Sequence, residues 1–173
     1  MHIISTRPIE DSIELFEKLN KLGHTTTHLP VIQIEKLETK KINLESYEAV
    51  IFTSSNAIRF MKIEKFNLRI KCFCVGRSTE ITAKQAGFIN TFSSEGTVDS
   101  LIELVIRAQD NKSGKLLYLS SEFISKDLDA DLIREGYLVD RISNYTSLPV
   151  EQIDIKTLDF IKENPPDVFF IYS

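Results

Sequence analysis

Two periodicities alternate along the chain. Short apolar runs recur between stretches whose apolar positions fall three and four residues apart. "HIIST" reads as a strand, and residues 9–22 follow as a helix with Ile13, Leu15, Phe16, Leu19 and Leu22 on one stripe. Gly23 supplies its stop signal. "TTTHL" is a second strand, and "PVIQIEKLE" continues as an extended segment from Pro30. "AVIFT" then predicts a strand and residues 56–63 a helix. "CFCVG" is the next strand, with a helix over 79–85 that stops at Gly87. "FINTF" (strand), 98–108 (helix), "KLLYLS" (strand), 126–135 (helix) and "YLVDRISNY" (strand) continue the alternation. After "TSLPVEQ", a helix over 155–162 leads into the strand "DVFFIYS".

Alternating β and α units predict an α/β protein with doubly wound parallel sheets. Strands as apolar as these fit burial on both faces. They are too numerous for one five-stranded unit, and "LPVIQIEKL" and "NYTSLPVEQ" both set Leu-Pro-Val beside extended residues. Two lobes joined by a two-stranded connector follow, the first lobe made of residues 1–32 and 149–173 and the second of 33–148. "EAVIFTS" and "DVFFIYS" form a weak repeat, each with an acid, an apolar run and a serine. A helix follows the first serine and would be expected after the second. The discontinuous first lobe therefore reads as incomplete, and the chain as a fragment.

Composition narrows the classes. Apolar residues are 42% and charged residues 27% of the 173, as in a globular protein. No apolar run has membrane-spanning length, and "MHIISTRP" lacks the basic and apolar parts of a signal peptide. A cytoplasmic protein with no membrane partner is expected. A net charge of −4 provides no general attraction for nucleic acid, so none is expected as a partner. Cys72 and Cys74 lie on one face of a strand, where i, i+2 thiols do not readily close a disulfide. They read as buried structural thiols; no metal site and no cofactor are expected.

The candidate chemistry is concentrated at three strand-to-helix junctions, "TSSNA", "VGRSTE" and "LSSEFIS". They offer Thr53, Ser54, Ser55 and Asn56, then Ser78 and Thr79, then Ser120 and Ser121. In a parallel sheet such junctions open on the edge where these folds bind ligands. Hydroxyls and free helix N–H groups there suit carboxylate or phosphate oxygens. Ser, Thr and Asn are equally the preferred N-caps, so capping alone accounts for any single junction. Neither GxxxxGK[ST] nor GxGxxG occurs. Arg7 in "STRP" is either a carboxylate ligand or a solvated charge. His2, His24 and His28 are scattered and read as structural. Tyr145 either faces the gap between lobes or packs on the neighbouring strand. No Ser-His-Asp set or close carboxylate pair stands out.

Taken in order, "STRP", "LPVIQI", "YEAVIFTSSNAIRF", "CVGRSTEITAKQAGF", "GKLLYLSSE" and "RISNYTSLPV" resemble the uroporphyrinogen-III synthase family across essentially the whole chain. The resemblance implies two α/β lobes, the first built from both chain ends. It implies cofactor-free cyclisation of the linear tetrapyrrole hydroxymethylbilane, with loss of water and inversion of ring D through a spiro intermediate. Tyr145 matches a tyrosine near the cleft that assists departure of the hydroxyl. Thr53 and Ser54 match the family's Thr-Ser junction, Thr79 its threonine after Val-Gly, and Arg7 its early arginine.

The substrate carries eight carboxylates, so Arg7, Thr53, Ser54, Ser55, Asn56, Ser78, Thr79, Ser120 and Ser121 are the expected substrate-binding set. Ser120 and Ser121 depart from the Arg-Gly that many relatives carry, and the family continues past the position of Ser173. A monomer is expected, inactive as this piece alone. The rival reading is a noncatalytic ligand-binding or regulatory module of the same architecture.

Overall fold

The computed structural model describes residues 1–67 and 69–171. In chain order the elements are β1 (His2–Ser5), α1 (Ile9–Lys21), β2 (Thr25–His28), β3 (Ile32–Lys36), β4 (Ile42–Asn43), a 3-10 turn (Leu44–Ser46) and β5 (Ala49–Phe52). Then come α2 (Ser55–Arg59), β6 (Ile63–Lys65), β7 (Lys71–Cys74), α3 (Gly76–Gln85), β8 (Thr91–Ser93) and α4 (Val98–Ala108). The last are β9 (Lys115–Ser121), α5 (Leu128–Arg134), β10 (Leu138–Pro149), α6 (Ile155–Glu163) and β11 (Val168–Phe170). They form two compact units, Met1–Glu35 with Ser147–Ser173, and Lys36–Thr146.

The first unit holds a parallel three-stranded sheet in the order β11-β1-β2. Ile3 and Ile4 of the central strand are buried. α1 turns Ser12 inward, and its Oγ lies 3.1 Å from Ser5 Oγ. The apolar stripe on this helix is narrower than its spacing suggests. Leu15, Phe16 and Leu19 are half-buried, whereas Ile13 and Leu22 are exposed. Leu22 is the C-cap, just past the end of the helix. His2 donates from Nδ1 to the Asn164 carbonyl at 2.7 Å, and its Nε2 meets Thr27 Oγ1 at 2.8 Å. His28 Nε2 donates to the Arg7 carbonyl at 2.7 Å. Both rings thus hold chain segments together. In the repeat "DVFFIYS", Tyr172 and Ser173 lie outside the described residues.

In the second unit the strands run β10-β9-β5-β7-β8, every neighbouring pair parallel. Ala49, Val50, Ile51 and Phe52 are all 0% exposed, as a central strand covered on both faces must be. On one face Ile51, Phe73, Leu116 and Tyr118 pack with Leu101 and Val105 of α4 and Leu128 and Leu132 of α5. The other face carries Phe52 in edge contact with Phe88, 5.8 Å between ring centres. Each fully buried aliphatic or aromatic chain here contributes about 1.5–3 kcal/mol.

Several boundaries shift from the sequence expectation. α2 ends at Arg59, and Ile63 instead opens β6, which pairs with β4. α3 begins at Gly76, three residues earlier than expected. Gly76 has φ +71°, a conformation glycine adopts without steric cost, and this lets the chain turn from β7 straight into the helix. β8 occupies Thr91–Ser93, the end of the predicted "FINTF" and one residue past it, and α5 is trimmed to Leu128–Arg134. Cys72 and Cys74 are free, fully buried thiols with their sulfurs 3.7 Å apart. The Cys74 thiol, then burial, hold the Cys72 pKa far above the usual thiol range.

Candidate functional site

The carboxyl ends of β5, β7, β9 and β10 open on one edge of the second unit's sheet. β5 ends at Phe52, and the next residues, Thr53 and Ser54, are half-buried. Ser54 is the N-cap of α2, its Oγ accepting the Asn56 N–H at 3.2 Å. Capping is therefore one role of that hydroxyl. Ser55 Oγ accepts from Thr82 Oγ1 at 3.1 Å, which ties α2 to α3. Asn56 Oδ1 accepts from Arg59 Nη1 at 2.8 Å. Thr53 Oγ1 stands 3.2 Å from the hydroxyl of Tyr118, which is itself 2% exposed.

The other two junctions differ from the sequence picture. Val75 is the N-cap of α3 and no side chain caps that helix. Ser78 and Thr79 lie inside its first turns, Ser78 exposed and Thr79 buried. Ser120 and Ser121 are not at a helix start at all. They are the last two residues of β9, buried in the sheet, and α5 begins only at Leu128 after the N-cap Asp127. Ser120 Oγ donates to the Ser121 carbonyl at 2.9 Å and accepts from Arg141 Nε at 2.9 Å.

Tyr145 lies on β10, paired with Ser121 of β9, and is 6% exposed. The packed-strand alternative thus describes its ring. Burial pushes its phenol above the ordinary tyrosine range, while the neighbouring Ser54 and then Ser121 hydroxyls pull it back. Ser121 Oγ has no partner at full hydrogen-bonding geometry, so its approach to the phenol is loose. Tyr118 is shifted up by burial in the same way, opposed first by Thr53 and then by Arg141.

Ser54, Ser121 and Tyr145 are therefore brought together, with Ser120 one residue away and Thr53 engaged with Tyr118 instead. Ser55 and Asn56 are engaged in side-chain hydrogen bonds, Thr79 is buried within α3, and Ser78 is exposed on the same helix. Arg7 belongs to the first unit, where its N–H donates to Ser5 Oγ at 3.4 Å. A surface hollow of about 430 Å³ in the second unit, lined by Lys40, Lys41, Tyr47 and Ile142, contains none of these residues. No group of three or more metal-ligating side chains occurs among the described residues, and no described helix is long and apolar enough to cross a membrane.

Sequence reasoning missed Tyr118, Arg141 and Asn144. Arg141 Nη2 donates to the carbonyls of Ser121 and Glu122, both at 3.1 Å, in addition to its Nε bond. Asn144 is fully buried and donates from Nδ2 to the Ala57 carbonyl at 2.7 Å. All three sit inside the quoted stretches "GKLLYLSSE" and "RISNYTSLPV", but their partners lie on elements distant in the chain, so the letters do not single them out.

The family model described as Uroporphyrinogen-III synthase HemD matches residues 13–173. A curated relative, Porphyrin biosynthesis protein HemD of Ruminiclostridium josui, is 27% identical over 159 residues, 84% of this chain and 32% of the relative. The chain thus spans about a third of the length of that relative. The crystal structure of uroporphyrinogen-III synthetase from Helicobacter pylori 26695 superposes with a TM-score of 0.61 at 16% identity, covering 98% of this chain and 72% of that one. A mutant uroporphyrinogen III synthase from the extremely thermophilic bacterium Thermus thermophilus gives 0.52 at 18% identity, covering 98% and 71%. These two likenesses concern the fold, a mixed α/β arrangement dominated by parallel sheets. With the family model covering nearly its whole length, the chain belongs to the uroporphyrinogen-III synthase family.

Proposed function

We propose that the protein carrying this chain is a uroporphyrinogen-III synthase. It cyclises hydroxymethylbilane with inversion of ring D, as a monomeric cytoplasmic enzyme without a cofactor. The observation that supports this reading is the meeting of Tyr145 with Ser54 and Ser121 at the carboxyl edge of the second sheet. A phenol held in its neutral form through physiological pH can deliver a proton to a departing hydroxyl. The C–O bond of the hydroxymethyl group breaks and the oxygen leaves as water. The pyrrole nitrogen lone pair fills the gap, leaving an electron-poor azafulvene on ring A. Ring D attacks that carbon, and rearrangement through the spiro intermediate gives the asymmetric macrocycle.

Neutral hydroxyls also suit the substrate. Thr53, Ser54, Ser55, Asn56, Ser78, Thr79, Ser120, Ser121 and, from the first unit, Arg7 are the groups proposed to bind its carboxylates. The activated bilane also closes unaided to the symmetric isomer, so the protein's task is to favour one folded geometry. Such positioning supplies several kcal/mol without a strong acid or base, up to about 7–11 kcal/mol in well-oriented systems.

The test supplies hydroxymethylbilane to the full-length protein and separates the uroporphyrinogen isomers. Isomer III is the expected product. Isomer I alone would refute the enzyme reading, and binding without turnover would favour a noncatalytic module.

A further inference from the structure

Parallel pairing of β9 and β10 is regular from Leu138 opposite Lys115 to Ser143 opposite Ser120, and then slips. The next pair is Tyr145 with Ser121, so β10 advances two residues while β9 advances one. Asn144 is the extra residue of a β-bulge, a device that re-aims the side chains beyond it. In an unbroken strand, residues 141, 143 and 145 would share one face. Arg141 is on the face of Tyr118 and Ser120, as its bond to Ser120 Oγ shows. A regular strand would send Tyr145 to that face as well. The bulge moves it to the opposite face, where Ser54 and Ser121 are.

Two bonds pin the extra residue. The Asn144 carbonyl accepts the Leu37 N–H at 3.0 Å, and its Nδ2 donates to the Ala57 carbonyl at 2.7 Å. Ala57 belongs to α2, a helix of five residues, and Ser54 is the N-cap of that same helix. One buried amide therefore clamps the strand that carries Tyr145 to the helix that carries Ser54.

We infer that Asn144 is the positioning residue of this site, fixing the Tyr145 hydroxyl against Ser54 and Ser121 by holding the bulge to α2. The inference deepens the synthase reading and, in its kinetic part, rests on it. Nothing requires Asn144 itself to touch substrate.

The test uses the full-length protein with tyrosine carrying carbon-13 at Cζ, whose resonance senses the hydroxyl's surroundings at neutral pH. The Tyr145 signal is identified by its loss in Tyr145→Phe. Asn144→Ser is expected to move that signal while the other assigned tyrosines hold still; an unmoved signal in the folded variant overturns the inference. Asn144→Asp keeps the shape and removes the amide donor, and replaces the serine variant if the latter fails to fold. This measurement needs no turnover, so it stands even if the wild-type protein yields only the symmetric isomer and the synthase reading fails.

Kinetics supply the second arm. Asn144→Ser is expected to lower kcat about a hundredfold, the scale of an ångström's misplacement of a reacting group, with KM little changed. In the Tyr145→Phe background the same change should cost far less, because its effect passes through the missing hydroxyl. Equal losses in both backgrounds would make Asn144 a structural residue only.

Discussion

Arg141 Nε donates to Ser120 Oγ at 2.9 Å, reaching from β10 to the carboxyl end of β9. Its Nη2 adds the carbonyls of Ser121 and Glu122, so one guanidinium holds three consecutive residues at the strand end. Replacing it with alanine should destabilise the second unit by about 1.5–3 kcal/mol, the range for hydrogen bonds to a charged donor. Lysine should not restore the loss, since a point charge cannot span three acceptors. Urea unfolding of the two variants checks this, and a lysine variant as stable as wild type would contradict it.

Tyr145→Phe removes the hydroxyl between Ser54 and Ser121 and leaves the ring in place. Stability should change by only about 1 kcal/mol. Turnover of hydroxymethylbilane should fall about a hundredfold, the low end for loss of a general acid, with KM barely altered. Product binding that weakens by the same factor as turnover would remove the proton-donor role.

Capping and ligand chemistry at Ser54 can be separated. Ser54→Ala gives up the N-cap and should cost about 0.5–2 kcal/mol. Ser54→Asp is an equally good cap, so melting should stay near wild type. The new carboxylate would repel a polyanionic substrate, and KM should rise steeply. If the aspartate variant turns over normally, Ser54 serves only the helix.

Alkaline pH should destabilise the fold. Tyr47, Tyr118, Tyr137 and Tyr145 are all held above their usual range, burial being the first cause in each. The unfolded chain loses these protons first, as pH passes about 10. The stabilisation is therefore complete below that point and is lost as pH climbs toward the folded values. Urea midpoints at pH 8, 10 and 11 should fall in that order, and Tyr118→Phe should flatten the decline. A midpoint independent of pH would contradict it.

Gly76→Ala places a side chain at φ +71° beside the Gly96 backbone, its Cβ 3.5 Å from the Gly96 Cα. The left-handed conformation alone should cost about 1–2 kcal/mol. Thermal unfolding measures it directly.

How much of this was legible depends on how local each cause is. "AVIF" announced a buried central strand because all four side chains need cover, and all four have it. The stripe on α1 was misread at Ile13 and Leu22, since periodicity gives the face of a helix but not how wide a layer lies against it. Ser120 and Ser121 looked like helix caps because hydroxyls after an apolar run usually are. β9 simply runs on through them, held by Arg141, which is distant in the chain. The slip at Asn144 left no trace in the letters, because a bulge is a property of two strands in register. What sequence could offer was the residue types gathered on one edge, and the family resemblance carried by their order.

Cys72 and Cys74 are sealed inside β7, the strand between β5 and β8. An alkylating reagent can meet those sulfurs only after the middle of the sheet has come apart. Their modification rate is thus a built-in clock for breathing of the second unit. It can be read by mass spectrometry from the mass that the reagent adds to each thiol.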